Sequence, residues 1–400
     1  MSTFAEARSW LVVEVSSGFG PATLAAKHLA DLGSVVVRVD EDDQRDTWPT
    51  RGDRDLFELV TRGKHSVGLS RATSGGDAAL DALLGRAEIA IVDRDGLERL
   101  REFAGARSLA DRYPALTLCA CTWFGVDGPM AAWAGGEEIV QAVSGIMSIT
   151  GHQDGPATRV AGAPFTLATS MFAVTSMLAD VAAKRRGAVG GFLDVAAVDA
   201  AIAFLSASLP VYTLSGKPPR GIGNRHSMSA PWNSFRCADG WVIVCGGNHP
   251  NWVRLCETIG RPDLLADPRY ATQEDRIANV DALEAEITAW TGVRPVHEVE
   301  AAFDAGAIAA GSILPLSDVL RHPQFLERNL LDARSDRRRA GGVFHADREP
   351  LAVAETRWRP GAATREILVG RCGLSVADYE RWIDAGDLRD EKGYARAPAA

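Results

Sequence analysis

Ile139–Gly145 (IVQAVSG), Thr150-Gly151, Asp154-Gly155-Pro156 and Arg159–Val174 (RVAGAPFTLATSMFAV) follow one another in the middle of this 400-residue chain. Just upstream lie Phe124-Gly125 and Asp127-Gly128-Pro129. The last segment opens an amphipathic pattern. Leu167, Met171, Val174, Met177 and Leu178 fall on one stripe at helical spacing, which predicts a helix over 167–186. Its final turn, Lys184-Arg185-Arg186, is basic, as the negative end of a helix dipole favours. Phe192–Val195 then reads as a strand, and Ala197 to Leu209 as a second helix.

Upstream, short β-branched runs alternate with helix patterns. Leu11–Val15 (LVVEV), Ser34–Val39 (SVVVRV), Ile89–Val92 and Leu116–Cys121 read as strands, with Pro21–Leu32 as a helix between the first two. Such alternation predicts a parallel sheet covered by helices. Composition shifts over Ser215–Asn233, where three prolines and three glycines mark a linker. Beyond it, Trp241–Cys245 (WVIVC) reads as a strand, and helices are expected near 250–259, 275–291 and 295–304. The expected organisation is a large Rossmann-like domain beginning over 1–206, a linker at 207–233, and a small α+β domain at 234–325. Residues 326–400 would return to the large domain.

With 46% hydrophobic residues, the chain is long enough for two sizeable cores. A formal charge of −9 argues against a nucleic-acid surface, though not against a local basic pocket for phosphates. Cysteines 119, 121, 237, 245, 256 and 372 show neither metal-ligand nor secreted spacing, and Cys119 and Cys121 read as half-buried thiols on a strand. No metal site is expected. No signal-like start and no membrane-length apolar run stand out, so a cytoplasmic protein with no membrane partner is expected.

Gly18-Phe19-Gly20 follows the first strand, and Asp40 ends the second, which resembles a dinucleotide fingerprint. Thr23 occupies the place of the third glycine, so a bare Rossmann-like scaffold is the better reading.

The central segments, together with KHLADLGSVVVRVD (27–40), TRGKHSV (61–67), IVDRDGLERL (91–100) and Asp267–Thr272 (DPRYAT), resemble the family III CoA-transferases. The resemblance spans Val12 to Leu388. It implies an α/β fold whose large domain is built from both chain ends with a smaller domain inserted. It also implies an interlocked dimer, either a homodimer or a heterodimer with a homologous subunit. The implied activity moves CoA between carboxylic acids. Acyl-CoA and a carboxylic acid are then the substrates, and no cofactor is permanently bound.

Arg38, Arg62, Lys64 and Arg99 match family positions near the nucleotide, where cations would meet phosphates. Asp93, Arg94, Gly135, Gly136 and Glu137 complete the CoA-contacting set that the resemblance implies. In the family a catalytic aspartate attacks the thioester and forms a mixed anhydride; here that position is Thr166. A hydroxyl needs a base, and its ester is too stable to return the acyl group easily. Glu137, on a separate segment, is the alternative carboxylate. The departure leaves three readings: a transferase, alone or as a subunit; a catalytically silent CoA-binding partner; or a 2-methylacyl-CoA racemase. In the racemase reading the catalytic histidine falls on Gly136.

Overall fold

The computed structural model describes residues 10–41, 54–105, 108–332, 339–340, 343–346, 349–351 and 358–395. They form two compact units. The first comprises 1–145, 160–210 and 340–400, and the second 146–159 and 211–339. The segment 146–159, which the sequence reading kept in the large domain, clusters with the second unit.

The first unit is organised by β1 (Leu11–Val15), α1 (Pro21–Asp31), β2 (Val35–Glu41), α2 (Arg54–Thr61), β3 (His65–Leu69), α3 (Ser74–Leu84), β4 (Ile89–Val92), α4 (Arg94–Ala104), α5 (Leu109–Arg112), β5 (Thr117–Thr122), α6 (Glu137–Val143), α7 (Pro164–Lys184), β6 (Phe192–Ala196) and α8 (Ala197–Phe204). Strands β1 to β6 are parallel in the order β3-β2-β1-β4-β5-β6. The C-terminal strand Leu388–Arg389 adds antiparallel to β3, so both chain ends build one sheet. β1, β4 and β5 are buried throughout, as continuous apolar runs sandwiched between helices must be. The order reverses between β1 and β4, and at such a switch point the loops leaving the strands splay apart into a crevice.

α7 corrects the expected stripe. It starts at Pro164, and its buried residues are Phe165, Thr166, Thr169, Ser170, Ala173, Val174, Met177 and Val181. Leu167 lies about half exposed. Small residues explain the rotation: Ala173 shares a core with Ala22, Ala25, Ala26 and Ala30 of α1, and close approach of two helices favours the face with the least bulk. By length and composition α7 is apolar enough to cross a membrane, which corrects the expectation of no such run. Its buried face packs as a core helix does. The helix expected over 197–209 ends at Phe204, and a second one, Ser208–Ser215, follows at a 62° bend.

The second unit centres on an antiparallel sheet of β7 (Trp232–Arg236), β8 (Trp241–Cys245) and β9 (Ala310–Ser312). Its core joins Phe235, Val242, Val244, Trp252, Leu255, Leu283, Ile287, Val299 and Phe303. The helices expected there occur as His249–Thr258, Gln273–Ala278 with Val280–Thr291, and Val296–Ala305.

Candidate active site

The crevice at the β1/β4 switch point is a cleft of about 470 Å³. It is lined by the loop Ser17–Ala22 after β1, Asp93–Asp95 after β4, Cys121–Trp123 ending β5, and Ala131–Gly135. Gly96 lets α4 start hard against β1, because a Cβ there would sit 1.9 Å from the Val15 carbonyl oxygen. Asp93 caps α4 by accepting the Gly96 N–H at 2.8 Å. Its other oxygen accepts both the N–H and the hydroxyl of Ser17 at 2.7 Å, tying the two loops together. Burial pushes the Asp93 carboxyl above its ordinary range despite these donors. Arg94 lines the cleft and donates to the Ala131 carbonyl. Gly135 presses on Trp123: a Cβ there would meet the ring at 2.5 Å.

Two residues beyond Gly135, the chain turns into α6 and buries Glu137. The Glu137 carboxylate reaches the N-terminus of α7. Oε2 accepts the Thr166 N–H at 2.8 Å and the Thr166 hydroxyl at 2.7 Å. Oε1 accepts the Phe165 N–H at 3.2 Å and the Gln141 side-chain amide at 3.0 Å. α7 has no side-chain cap of its own, so this carboxylate from another helix meets its unpaired first-turn amides, where negative charge is favoured. Gln141, one turn after Glu137, is fully buried and clamps the assembly. Its amide also donates to the Val160 carbonyl at 3.2 Å, and its oxygen accepts the Val160 N–H at 2.8 Å. A carboxylate therefore stands against residue 166, supplied by Glu137. Gly136 precedes it in extended conformation.

Arg38, Lys64 and Arg99, expected on a phosphate-facing rim, lie inside instead. Arg38 Nη1 meets Glu14 at 3.1 Å and its Nε meets Asp40 at 3.0 Å. Lys64 Nζ donates to Glu14 at 2.6 Å and to the Thr23 carbonyl at 2.8 Å. All four side chains are essentially without exposure. An ion in a closed interior needs its counter-ion beside it, and β1 and β2 carry both signs in register, Glu14 opposite Arg38. Burial pulls the Lys64 ammonium down to about 8, against the pull of Glu14. Burial likewise raises the Glu14 carboxyl, but Lys64 and Arg38 overcome this and hold it below its ordinary value. Arg99 is buried and paired with Glu41 at 2.7 Å and Asp77 at 3.1 Å. Arg62 is half-buried after α2. Among the described residues lining the cleft, Arg94 is the cation.

Sequence reading missed the aromatic lining of the cleft, Phe19, Trp123 and Trp133, and the Gln141 clamp. The i, i+4 spacing of Glu137 and Gln141 was the available signal for the second. Cys119 and Cys121 are fully buried rather than half-buried, with their Sγ atoms 3.7 Å apart on one face of β5. Among the described residues, no cluster of three metal-ligating side chains occurs.

Comparison with known proteins agrees with this architecture. The family model for CoA-transferase family III matches residues 10–364. An acetyl-CoA:oxalate CoA-transferase of Acetobacter aceti is 33% identical over 84% of this chain and 86% of that protein. A succinate–glutarate CoA-transferase of Agrobacterium fabrum is 30% identical over 83% of this chain and 86% of its own length. A crystal structure of a CaiB/BaiF family protein from Brucella suis superposes with a TM-score of 0.78 at 26% identity, covering 90% of this chain and 98% of that one. The expected acyl-CoA:carboxylate CoA-transferase is thereby borne out in preference to the racemase reading, and the chain belongs to CoA-transferase family III.

Proposed function

We propose that the protein moves CoA between carboxylic acids with Glu137 as the acyl-accepting side chain. The observation that carries this reading is the Glu137 carboxylate seated on Thr166 and Phe165, at the position where the resemblance puts the working acid. One carboxylate oxygen attacks the thioester carbonyl carbon, the C–S bond breaks, and CoA leaves as thiolate. The resulting mixed anhydride is attacked by that thiolate at the Glu137 carbonyl, releasing the donor acid and leaving a glutamyl-CoA thioester. An acceptor acid then runs the two steps in reverse order and departs as acyl-CoA. The Phe165 and Thr166 amides at the α7 N-terminus supply fixed positive potential for the oxyanion of each addition. Gln141 fixes the rotamer of Glu137 through its bonds to Val160. Acyl-CoA enters as substrate through the switch-point cleft, with Arg94 beside it, and no permanently bound cofactor is needed.

The active form is a dimer of two copies of this chain. Ile139 and Val143 of α6, Leu167 and Phe172 of α7 and Phe204 of α8 are each at least 40% exposed, and apolar helical faces of this kind are covered in a stable protein. Six free thiols, five of them buried, suit a reducing, cytoplasmic setting.

One observation favours the silent-subunit alternative. Glu137 already accepts four hydrogen bonds, and a carboxylate so satisfied is a weaker nucleophile as well as a good helix cap. Borohydride separates the two, since it reduces an enzyme-bound thioester. Exposure to acyl-CoA followed by borohydride should abolish transfer irreversibly. If the isolated protein neither transfers CoA nor becomes sensitive to borohydride, the carboxylate belongs to a partner subunit.

A further inference from the structure

Thr23, which stands where a dinucleotide fingerprint has its third glycine, is fully buried in the first turn of α1. Its hydroxyl lies 2.8 Å from Glu14 Oε1, 2.8 Å from the Ser16 hydroxyl and 2.9 Å from the Gly18 carbonyl oxygen. The Thr23 carbonyl in turn accepts from Lys64 Nζ, and Arg38 Nη2 donates to the Ser16 carbonyl at 3.1 Å. The loop after β1 is therefore tied at both ends to the buried ionic network. Between the ties, Ser17 to Ala22 form a wall of the cleft.

Proton counting gives the threonine a definite task, because a hydroxyl has one proton to donate. Glu14 Oε1 accepts from Arg38 Nη1 at 3.1 Å and from the Ser16 hydroxyl at 2.7 Å, and Oε2 accepts from Lys64 at 2.6 Å. Those donors serve the carboxylate, so the Thr23 proton goes to the Gly18 carbonyl. Gly18 has no packing of its own to hold it, since an added Cβ would meet nothing within 4 Å. Glycine backbone is intrinsically free, and a loop that must be ordered when ligand arrives lowers affinity.

We propose that Thr23 is a positioning residue for CoA. Its hydroxyl fixes the Gly18 carbonyl, and with it the cleft wall after β1, in the shape that receives acyl-CoA. A glycine at residue 23 would have no hydroxyl to make this tie. The inference rests on acyl-CoA entering this cleft, as proposed above; it does not depend on Glu137 carrying the acyl group.

Calorimetric titration of the full chain with CoA tests it without turnover, on variants first shown to melt cooperatively. Thr23→Val keeps the bulk and removes the hydroxyl. CoA should bind on the order of tenfold more weakly, and KM for acyl-CoA should rise as much while kcat stays within about threefold. Thr23→Ser restores the hydroxyl and should bring CoA affinity back to within about twofold of wild type. Should the valine variant not fold, Ser16→Ala reports on the same tie. With that hydroxyl gone the Thr23 proton turns to Glu14, the Gly18 carbonyl is released, and CoA should bind about threefold or more weakly. Unchanged CoA affinity in the valine or the alanine variant overturns the proposal. So does a serine variant as weak as the valine one, because shape rather than the hydroxyl would then matter. A wild-type chain that binds no CoA overturns it together with the cleft reading. Retained transfer in Glu137→Gln would sink the catalytic assignment alone and leave these binding ratios as they are.

Discussion

Glu137→Gln keeps the size and shape of the side chain and removes its charge, so its effects follow from the four donors around the carboxylate. Two orientations of the new amide are open. With its nitrogen toward Oε1, it opposes the Phe165 N–H and the Gln141 amide, leaving two buried donors unmet. With its nitrogen toward Oε2, it opposes the Thr166 N–H, while the Thr166 hydroxyl can rotate to accept from it. The second orientation wins and leaves one backbone donor unmet, at about 1–3 kcal/mol. Loss of the negative charge from the α7 N-terminus adds roughly 0.5–1 kcal/mol. A domain of this size loses about 2–4 °C of melting temperature per kcal/mol, so a fall of about 3–16 °C is expected with a cooperative transition retained. Activity should fall far more. An amide oxygen cannot form a mixed anhydride that returns the acyl group, and kcat should drop by on the order of 10³ or more. Thermal melts monitored by circular dichroism, alongside transfer of CoA from acetyl-CoA to an acceptor acid, read both effects on one preparation. A folded variant keeping more than about a tenth of wild-type kcat would refute the reasoning.

Other perturbations separate neighbouring roles. Thr166→Val removes the hydroxyl but not the backbone donor; it should cost about 1 kcal/mol in urea unfolding and less than about tenfold in kcat. Gln141→Ala removes the amide that joins Glu137 to Val160, so kcat should fall about tenfold while KM for acyl-CoA stays within about twofold; an unchanged kcat would deny Gln141 its positioning role. Lys64 releases its proton near pH 8 in the folded chain and near 10.5 when unfolded, so its contribution to stability is absent below about 8 and grows as pH rises toward 10.5. Urea unfolding at pH 7.5 and 9.5 should therefore show the wild type gaining relative to Lys64→Gln; a relative loss contradicts that sign. Gly135→Ala drives a methyl into the Trp123 ring, and a fall in melting temperature corresponding to about 1–3 kcal/mol should accompany weaker acyl-CoA binding.

The sheet was legible because buried parallel strands write themselves as unbroken β-branched runs; LVVEV and SVVVRV could hardly be read otherwise. α7 was legible in place but not in rotation. Leu167 and Met171 sit on the apolar stripe that periodicity selects, yet the core took the face with Thr169, Ser170 and Ala173, because α1 approaches with alanines. Periodicity counts hydrophobicity, and close helix packing selects for lack of bulk. The ionic residues failed for a related reason. Arg38, Lys64 and Arg99 carry charges that look solvent-bound in sequence, and only the register of β1 against β2, with Glu14 beside Arg38, reveals an internal network. At residue 166 the substitution itself was plain. Glu137 could be named from sequence as the alternative carboxylate, but its seating on residue 166 from another helix, 29 residues earlier, needed three dimensions.

The most direct test of the central claim is chemical trapping. Purified protein is incubated with acyl-CoA, quenched with hydroxylamine, and digested for peptide mass mapping. The account predicts a glutamyl hydroxamate at Glu137, formed only when acyl-CoA is present. A hydroxamate on any other side chain, or none in a preparation that transfers CoA at full rate, would contradict it.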